Sequence, residues 1–252
     1  APEAVPGLVG AGHNFYTLAG AMAFYDALRT LKSGRIVVLT AAPAYKCPAA
    51  PYEVAMLVDD FCRKAGTRAS ISVDVYAAEP GPMGVAGPAL SAAVKQMLEA
   101  KGIPYHPEHQ VKSVDPEARR LDFANGVTAH FDLLAYVPPH RAPRVVRESG
   151  LAGDSSWVSV DRHTLETSFA GVYAIGDVVS IPLQLGKPLP KAGVFAHLEA
   201  EVVASNVAAA ILGRSGGERF EGHGECFVEI GGGKAAFGTG NFYAEPVPAV
   251  TL

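Results

Sequence analysis

The chain has 252 residues, 49% hydrophobic and 18% charged, enough to bury one large core or two smaller ones. Its formal net charge of −4, with no run of Lys or Arg, leaves no basic footprint for nucleic acid. Three cysteines are too few for a disulfide scaffold but enough for one redox-active pair, and the longest apolar stretch, Val194 to Leu212, is broken by His197, Glu199, Glu201, Ser205 and Asn206, so no membrane span is expected.

Residues 1 to 17 are rich in Pro and Gly and read as a connector without the features of a signal peptide, which leaves the compartment unknown. Leu18, Met22, Tyr25 and Leu28 recur at helical spacing and predict a helix up to Ser33-Gly34, followed by a strand from Arg35 to Thr40. A dinucleotide-binding unit keeps glycines at the next turn, so that the backbone can approach a pyrophosphate at a helix N-terminus. Here Pro43, Cys47, Pro48 and Pro51 stand instead. Proline removes N–H donors and fixes φ, which makes a poor phosphate cradle. A cysteine just before a helix gains thiolate character from the helix dipole, so Cys47 reads as a redox or nucleophilic thiol.

Val54, Leu57, Val58, Phe61 and Cys62 mark an amphipathic helix that stops at Lys64-Ala65-Gly66, with Cys62 on its buried face. Ser70 to Tyr76 alternates like a strand, Glu79 lies beyond it where a ribose-binding acid can sit, and Leu90 to Ala100 is a helix closing at Gly102. This β-α-β-α-β order is the doubly wound signature. His106 and His109 have ligand-like spacing but lie in a proline-broken loop with no nearby Cys, so they read as a solvated loop and no metal is expected. A β-meander begins at Gln110, turns at Asn125-Gly126 and ends in the strand Phe131 to Val137.

Further on, Gly171 to Asp177 reads as an apolar strand ending in Gly-Asp. Asp177 can hydrogen-bond a ribityl hydroxyl there, and Gly176 permits close approach of a ligand. A long helix runs from about Lys191 to Leu212, and the dipole at its Pro190-Lys191-Ala192-Gly193 start can stabilise negative charge. Lys191 reads either as a site residue or as a solvated surface lysine, and His197 is at least as well explained by a surface role. The run Gly231 to Lys234 lacks the Ser/Thr of a phosphate loop and reads as a tight turn within a glycine- and aromatic-rich tail of short strands.

Four segments together resemble the sulfide:quinone oxidoreductase group and the flavoprotein subunit of flavocytochrome c sulfide dehydrogenase: Tyr45 to Glu53, Gly171 to Asp177, Leu189 to Gly193, and Cys226 to Gly231. The resemblance covers nearly the whole chain. It implies FAD as cofactor, sulfide as substrate, and a quinone or a cytochrome as acceptor, with a quinone seat near Phe227, Phe237, Phe242 and Tyr243. In that family two cysteines near the flavin form a disulfide or polysulfide bridge that accepts sulfide; Cys47 matches the first and Cys226 the second. Glu53 matches a glutamate used as proton acceptor, a role compatible with its other reading as a carboxylate complementing a helix N-terminus. Gly176, Asp177, Lys191 and Gly193 match flavin-binding positions.

The fold so implied is α/β: a connector over residues 1–17, a doubly wound, Rossmann-like domain with a β-meander over 18–150, the second half of an FAD-binding domain over 151–213, and a β-rich segment over 214–252. Family members begin with a strand and a G-x-G-x-x-G turn, and the best match here, Gly7 to Gly12, has no strand before it. The expectation is weak or no FAD retention unless another chain supplies the rest, in a soluble portion of a protein peripheral to the prokaryotic inner membrane. A homo-oligomer is compatible with it. The rival readings are a type II NADH dehydrogenase-like flavoprotein, disfavoured by the missing glycines after Leu39, and a non-catalytic scaffold.

Overall fold

The computed structural model describes residues 1–152, 156–214 and 217–251. In chain order the first half holds β1 (His13–Asn14), α1 (Leu18–Thr30), β2 (Gly34–Thr40), α2 (Ala50–Lys64), β3 (Ile71–Ala77), α3 (Pro88–Ala100), β4 (Tyr105–His106), β5 (Val111–Asp115), β6 (Arg120–Phe123), β7 (Thr128–His130), β8 (Leu133–Val137) and α4 (Arg144–Glu148). The second half holds β9 (Val158–Ser159), β10 (Val179–Ser180), α5 (Gly193–Ile211), β11 (His223–Gly231), β12 (Lys234–Asn241) and β13 (Ala249–Thr251).

β1, β8, β2, β3 and β4 form one parallel sheet in that order. Parallel sheets are covered on both faces, so their strands are apolar throughout. Accordingly Ile36 to Thr40 of β2 and Leu133 to Val137 of β8 are all buried. The period of two sorts the side chains: Ile36, Val38, Val73 and Val75 pack with Leu28, Tyr52, Met56 and Leu98 of the helices. On the other face Val37, Leu39, Tyr76 and Leu134 meet Val114, Leu121 and Phe123 of the antiparallel β5-β6-β7 meander. The doubly wound arrangement with an inserted meander is therefore present.

α2 begins with Pro51 in its first turn and carries Glu53 there, with Arg63 and Lys64 in its last turn, charges that complement its dipole. Its buried stripe includes Met56, Asp59 and Cys62, so Cys62 lies in the core as expected. Asp59 tolerates burial because Arg63 and Arg68 pair with it at 2.8 and 2.6 Å. The C-terminal hairpin β11-β12 docks on α2 and α5. A Cβ at Gly224 would lie 2.4 Å from the Phe195 ring, and one at Gly231, where φ is +78°, would lie 2.8 Å from Asp60 Cβ. Phe195 in turn meets Phe242 edge-on at 5.0 Å. Gly231 to Gly233 make the tight turn that joins β11 to β12.

Four details differ from the sequence reading. α1 buries Phe24 and Leu28, while Leu18 and Met22 are 80% and 60% exposed, because the helix presents a different stripe to the sheet. Gly171 to Asp177 is not a strand: only Tyr173 bridges, to Glu166, and the positive φ at Gly171 and Gly176 turns the chain into a 3-10 turn over Gly176–Val178. His106 does not sit in a solvated loop; its Nε2 lies 2.9 Å from Asp74 and its ring stacks on Tyr76 at 4.1 Å. Finally, α5 is long and apolar enough, by length and composition alone, to cross a membrane, with Phe195, Glu199 and Val202 forming its buried stripe.

Candidate functional site

Cys47 follows β2 on a turn held by three separate segments and by the start of α2. Its N–H donates to the Lys191 carbonyl at 2.6 Å, its carbonyl accepts from Ala50 N at 3.0 Å and from the Tyr16 hydroxyl at 3.0 Å, and Lys46 N donates to His140 Nδ1 at 3.0 Å. Cys226 comes from the other end of the chain, on β11 opposite Gly238. Both thiols are unbonded, and they line one cavity of about 50 Å³ with Pro48, Phe195, Val228 and Phe242. Glu53 stands at the same place: its Oε1 accepts from Glu229 N at 2.9 Å, three residues beyond Cys226. The structure thus brings together all three residues that the sequence matched to the thiol site.

The electrostatics reverse one expectation. Burial pushes the Cys47 thiol up, the Glu53 carboxylate adds to this, and the amides of Ala50 and Ala49 oppose it less strongly. The helix start therefore does not make Cys47 a thiolate; the apolar walls outweigh the dipole. Cys226, though exposed, is pushed up by partial burial first, then by its neighbour Cys47, since two thiolates side by side would repel, and by the Glu53 carboxylate. Glu53 is itself pushed up by burial, against the hydrogen bond from Glu229.

The second cluster surrounds the turn before α5. Lys191 is not a surface residue: it is buried, its ammonium donates to the Val179 carbonyl, and it stands 3.8 Å over the Trp157 ring. Burial lowers it to about 8, with Asp177 and Glu199 opposing. Gly176 donates its N–H to Glu199 Oε2 at 2.6 Å, and burial raises Glu199 to about 7. Asp177 is exposed beside them, and Gly193 opens α5 with nothing within 4 Å of where a Cβ would be. In the sequence Glu199 stands only as a break in an apolar run. Its spacing from Phe195 and Val202, i+4 and then i+3, was the signal that it faces inward.

A larger cavity of about 410 Å³ lies beyond the carboxyl ends of β2 and β3, lined by Tyr45, Glu79, Met83, Lys187 and Pro190 among others. Glu79 is held there by three donors, accepting from Tyr45 at 2.5 Å, Tyr52 at 2.8 Å and Thr40 at 2.8 Å. The four aromatic residues of the expected quinone seat divide. Phe227 and Phe237 pair at 4.9 Å on the surface, while Phe242 is buried and the Tyr243 hydroxyl donates to the Arg162 carbonyl. His197 lies on the surface beside Glu201. Among the described residues no His/Cys/Asp/Glu group could hold a metal.

The family model described as pyridine nucleotide-disulphide oxidoreductase matches residues 51–203. The mitochondrial sulfide:quinone oxidoreductase of Schizosaccharomyces pombe is 27% identical over 237 residues, covering 92% of this chain and 50% of that protein. The sulfide-quinone reductase of Aquifex aeolicus is 26% identical over 185 residues, covering 68% of this chain and 43% of that protein. The chain thus spans about half the length of the curated relatives it matches. The crystal structure of the Aquifex aeolicus sulfide:quinone oxidoreductase superposes with a TM-score of 0.81 at 20% identity, over 98% of this chain and 61% of that one, a likeness of fold.

Proposed function

The chain belongs to the pyridine nucleotide-disulphide oxidoreductase family, and on that premise we propose that it is part of a flavin-dependent enzyme that oxidises sulfide at a Cys47/Cys226 couple. The observation that carries this reading is the meeting of two thiols from distant parts of the chain in one cavity, with a carboxylate beside them. In the oxidised couple, hydrosulfide attacks one sulfur of the disulfide and the S–S bond breaks. The attacked cysteine becomes a persulfide and the other leaves as a thiolate, so the sulfide sulfur gives up the two electrons that the disulfide accepts. Glu53, whose proton affinity burial has raised, takes the proton of the incoming hydrogen sulfide.

The residues around α5 fit a flavin. The helix has no side-chain cap, its first residue Gly193 faces open space, and the exposed carboxylate of Asp177 lies on a turn that Gly176 makes sharp. Asp177 would hold a ribityl hydroxyl, Gly176 and Gly193 would allow close approach, and Lys191 would place positive charge behind the helix start. FAD, when bound, would supply a two-electron acceptor for the persulfide and thiolate, which lose two electrons as they join in a trisulfide, with a quinone or a cytochrome as the onward acceptor. The names of the relatives favour the quinone. The test is sulfide-dependent quinone reduction by FAD-loaded protein. Cys47→Ser and Cys226→Ser should each lower the rate ~100-fold or more. Activity retained in both variants, or tight NADH binding with NADH-dependent turnover, would replace this reading.

A further inference from the structure

The backbone at Cys47 has φ +49°, in the left-handed region that residues with a Cβ avoid, and Ala44 in the same turn has φ +62°. Such a conformation persists only where its surroundings over-determine it. Here every peptide group of Lys46 and Cys47 has an assigned partner. Lys46 N donates to His140 Nδ1, the Lys46 carbonyl accepts from the Tyr16 hydroxyl at 2.8 Å, and Cys47 N and O meet Lys191 O and Ala50 N. Tyr16 shares its one hydroxyl hydrogen between the two carbonyls, and its ring packs edge-on against His140 at 5.0 Å. Tyr16 and His140 belong to the turn between β1 and α1 and to the loop after β8, far in sequence from either thiol.

We propose that Tyr16 and His140 form a clamp of positioning residues that holds the Cys47 turn left-handed and so keeps its thiol in the cavity facing Cys226. The proposal rests on the thiol-couple reading above, but the clamp acts on Cys47 alone. His140 serves as acceptor only while Nδ1 is unprotonated. Burial first, then the charges of Lys46, the N-terminus and Lys191, lower it to about 4, so the acceptor persists across the neutral range. The Cys47 thiol is held high by its walls and by Glu53, with Asp177 adding to this. Release of the turn would move the thiol toward water and away from those groups.

Three thiols in three settings make this testable, because buried Cys62 reports whether the fold is intact. Tyr16→Phe removes only a hydroxyl, His140→Leu removes the acceptor, and His140→Asn keeps one at the place of Nδ1. Iodoacetamide labelling of each cysteine is followed by peptide mass spectrometry across pH, and Cys47–Cys226 disulfide closure is timed with diamide, which takes up the two electrons and two protons. The clamp predicts that Tyr16→Phe and His140→Leu lower the pH midpoint for Cys47 labelling and slow closure about tenfold, ~1.4 kcal/mol. Cys62 should stay protected, and His140→Asn should behave like the unaltered protein. An unchanged Cys47 midpoint with Cys62 protected would overturn the clamp, as would Cys62 becoming reactive in step with Cys47, which marks a merely structural role. If diamide never closes the pair in the unaltered protein while the variants still shift Cys47, the couple fails and the clamp stands.

Discussion

Glu199 and Lys191 are ionisable groups buried within one cluster, and their titrations act on stability in opposite directions. Glu199 rises from 4.5 to about 7, so the folded state holds its proton more tightly. Its contribution to stability is full below about 4.5 and is lost as pH rises through about 7, up to ~3 kcal/mol at 1.36 kcal/mol per unit. Lys191 falls from 10.5 to about 8, so its contribution is present above 10.5 and is lost as pH falls through about 8. Stability should therefore be lowest between these limbs, near pH 7 to 8. In Glu199→Gln the amide oxygen can still accept from Gly176, and the acidic limb should vanish from urea-unfolding free energies measured against pH; a limb that persists would assign it to another group. At the thiols, Glu53→Gln removes a negative charge that pushes both Cys47 and Cys226 up. Labelling midpoints of both thiols should move down together, and a shift confined to one would mean that Glu53 serves only that one.

Among the elements, the C-terminal hairpin decides where Cys226 lies, and its glycines decide how the hairpin docks. Gly224 faces Phe195, which packs edge-on with Phe220 and Phe242. Gly224→Ala should thus cost ~1–3 kcal/mol by overpacking and slow Cys47–Cys226 closure, read by thermal unfolding and diamide kinetics. Gly232→Ala, at the solvent side of the same hairpin, meets no atom within 4 Å and should leave closure unchanged, though its φ of +67° will cost some stability. The strands of the parallel sheet were legible because an unbroken apolar run flanked by helical periods has few other solutions. The Gly171 to Asp177 segment was not. Its apolar run looks like a strand, but extended structure needs a partner edge, and two glycines at positive φ take the chain elsewhere. The inward stripe of α1 is hidden in the sequence for a related reason: Leu18, Met22 and Tyr25 have helical spacing, yet only the sheet could select Phe24 and Leu28 as the inward pair.

Across the whole molecule, one apolar cluster joins Ile36, Val38 and Val75 of the sheet to Leu165, Val179, Ile181, Phe195 and Phe242 of the second half. A continuous core predicts a single cooperative transition. Trp157, the only tryptophan, stands under Lys191 in the second half, while much of the helix lies in the first. Its fluorescence and the far-UV circular dichroism should therefore report coincident denaturant midpoints; separated midpoints would divide the chain into independent units. By itself the sequence determined the parallel α/β sheet with its meander, the thiol turn after β2 and the family, because hydrophobic period, turn residues and short motifs are local properties of the chain. Only the tertiary structure decided that Cys47 is a raised thiol rather than a thiolate, that Lys191 and Glu199 share a buried cluster, and that Tyr16 and His140 grip the Cys47 turn. Those outcomes depend on desolvation and on contacts between segments distant in the chain, and no local pattern records either.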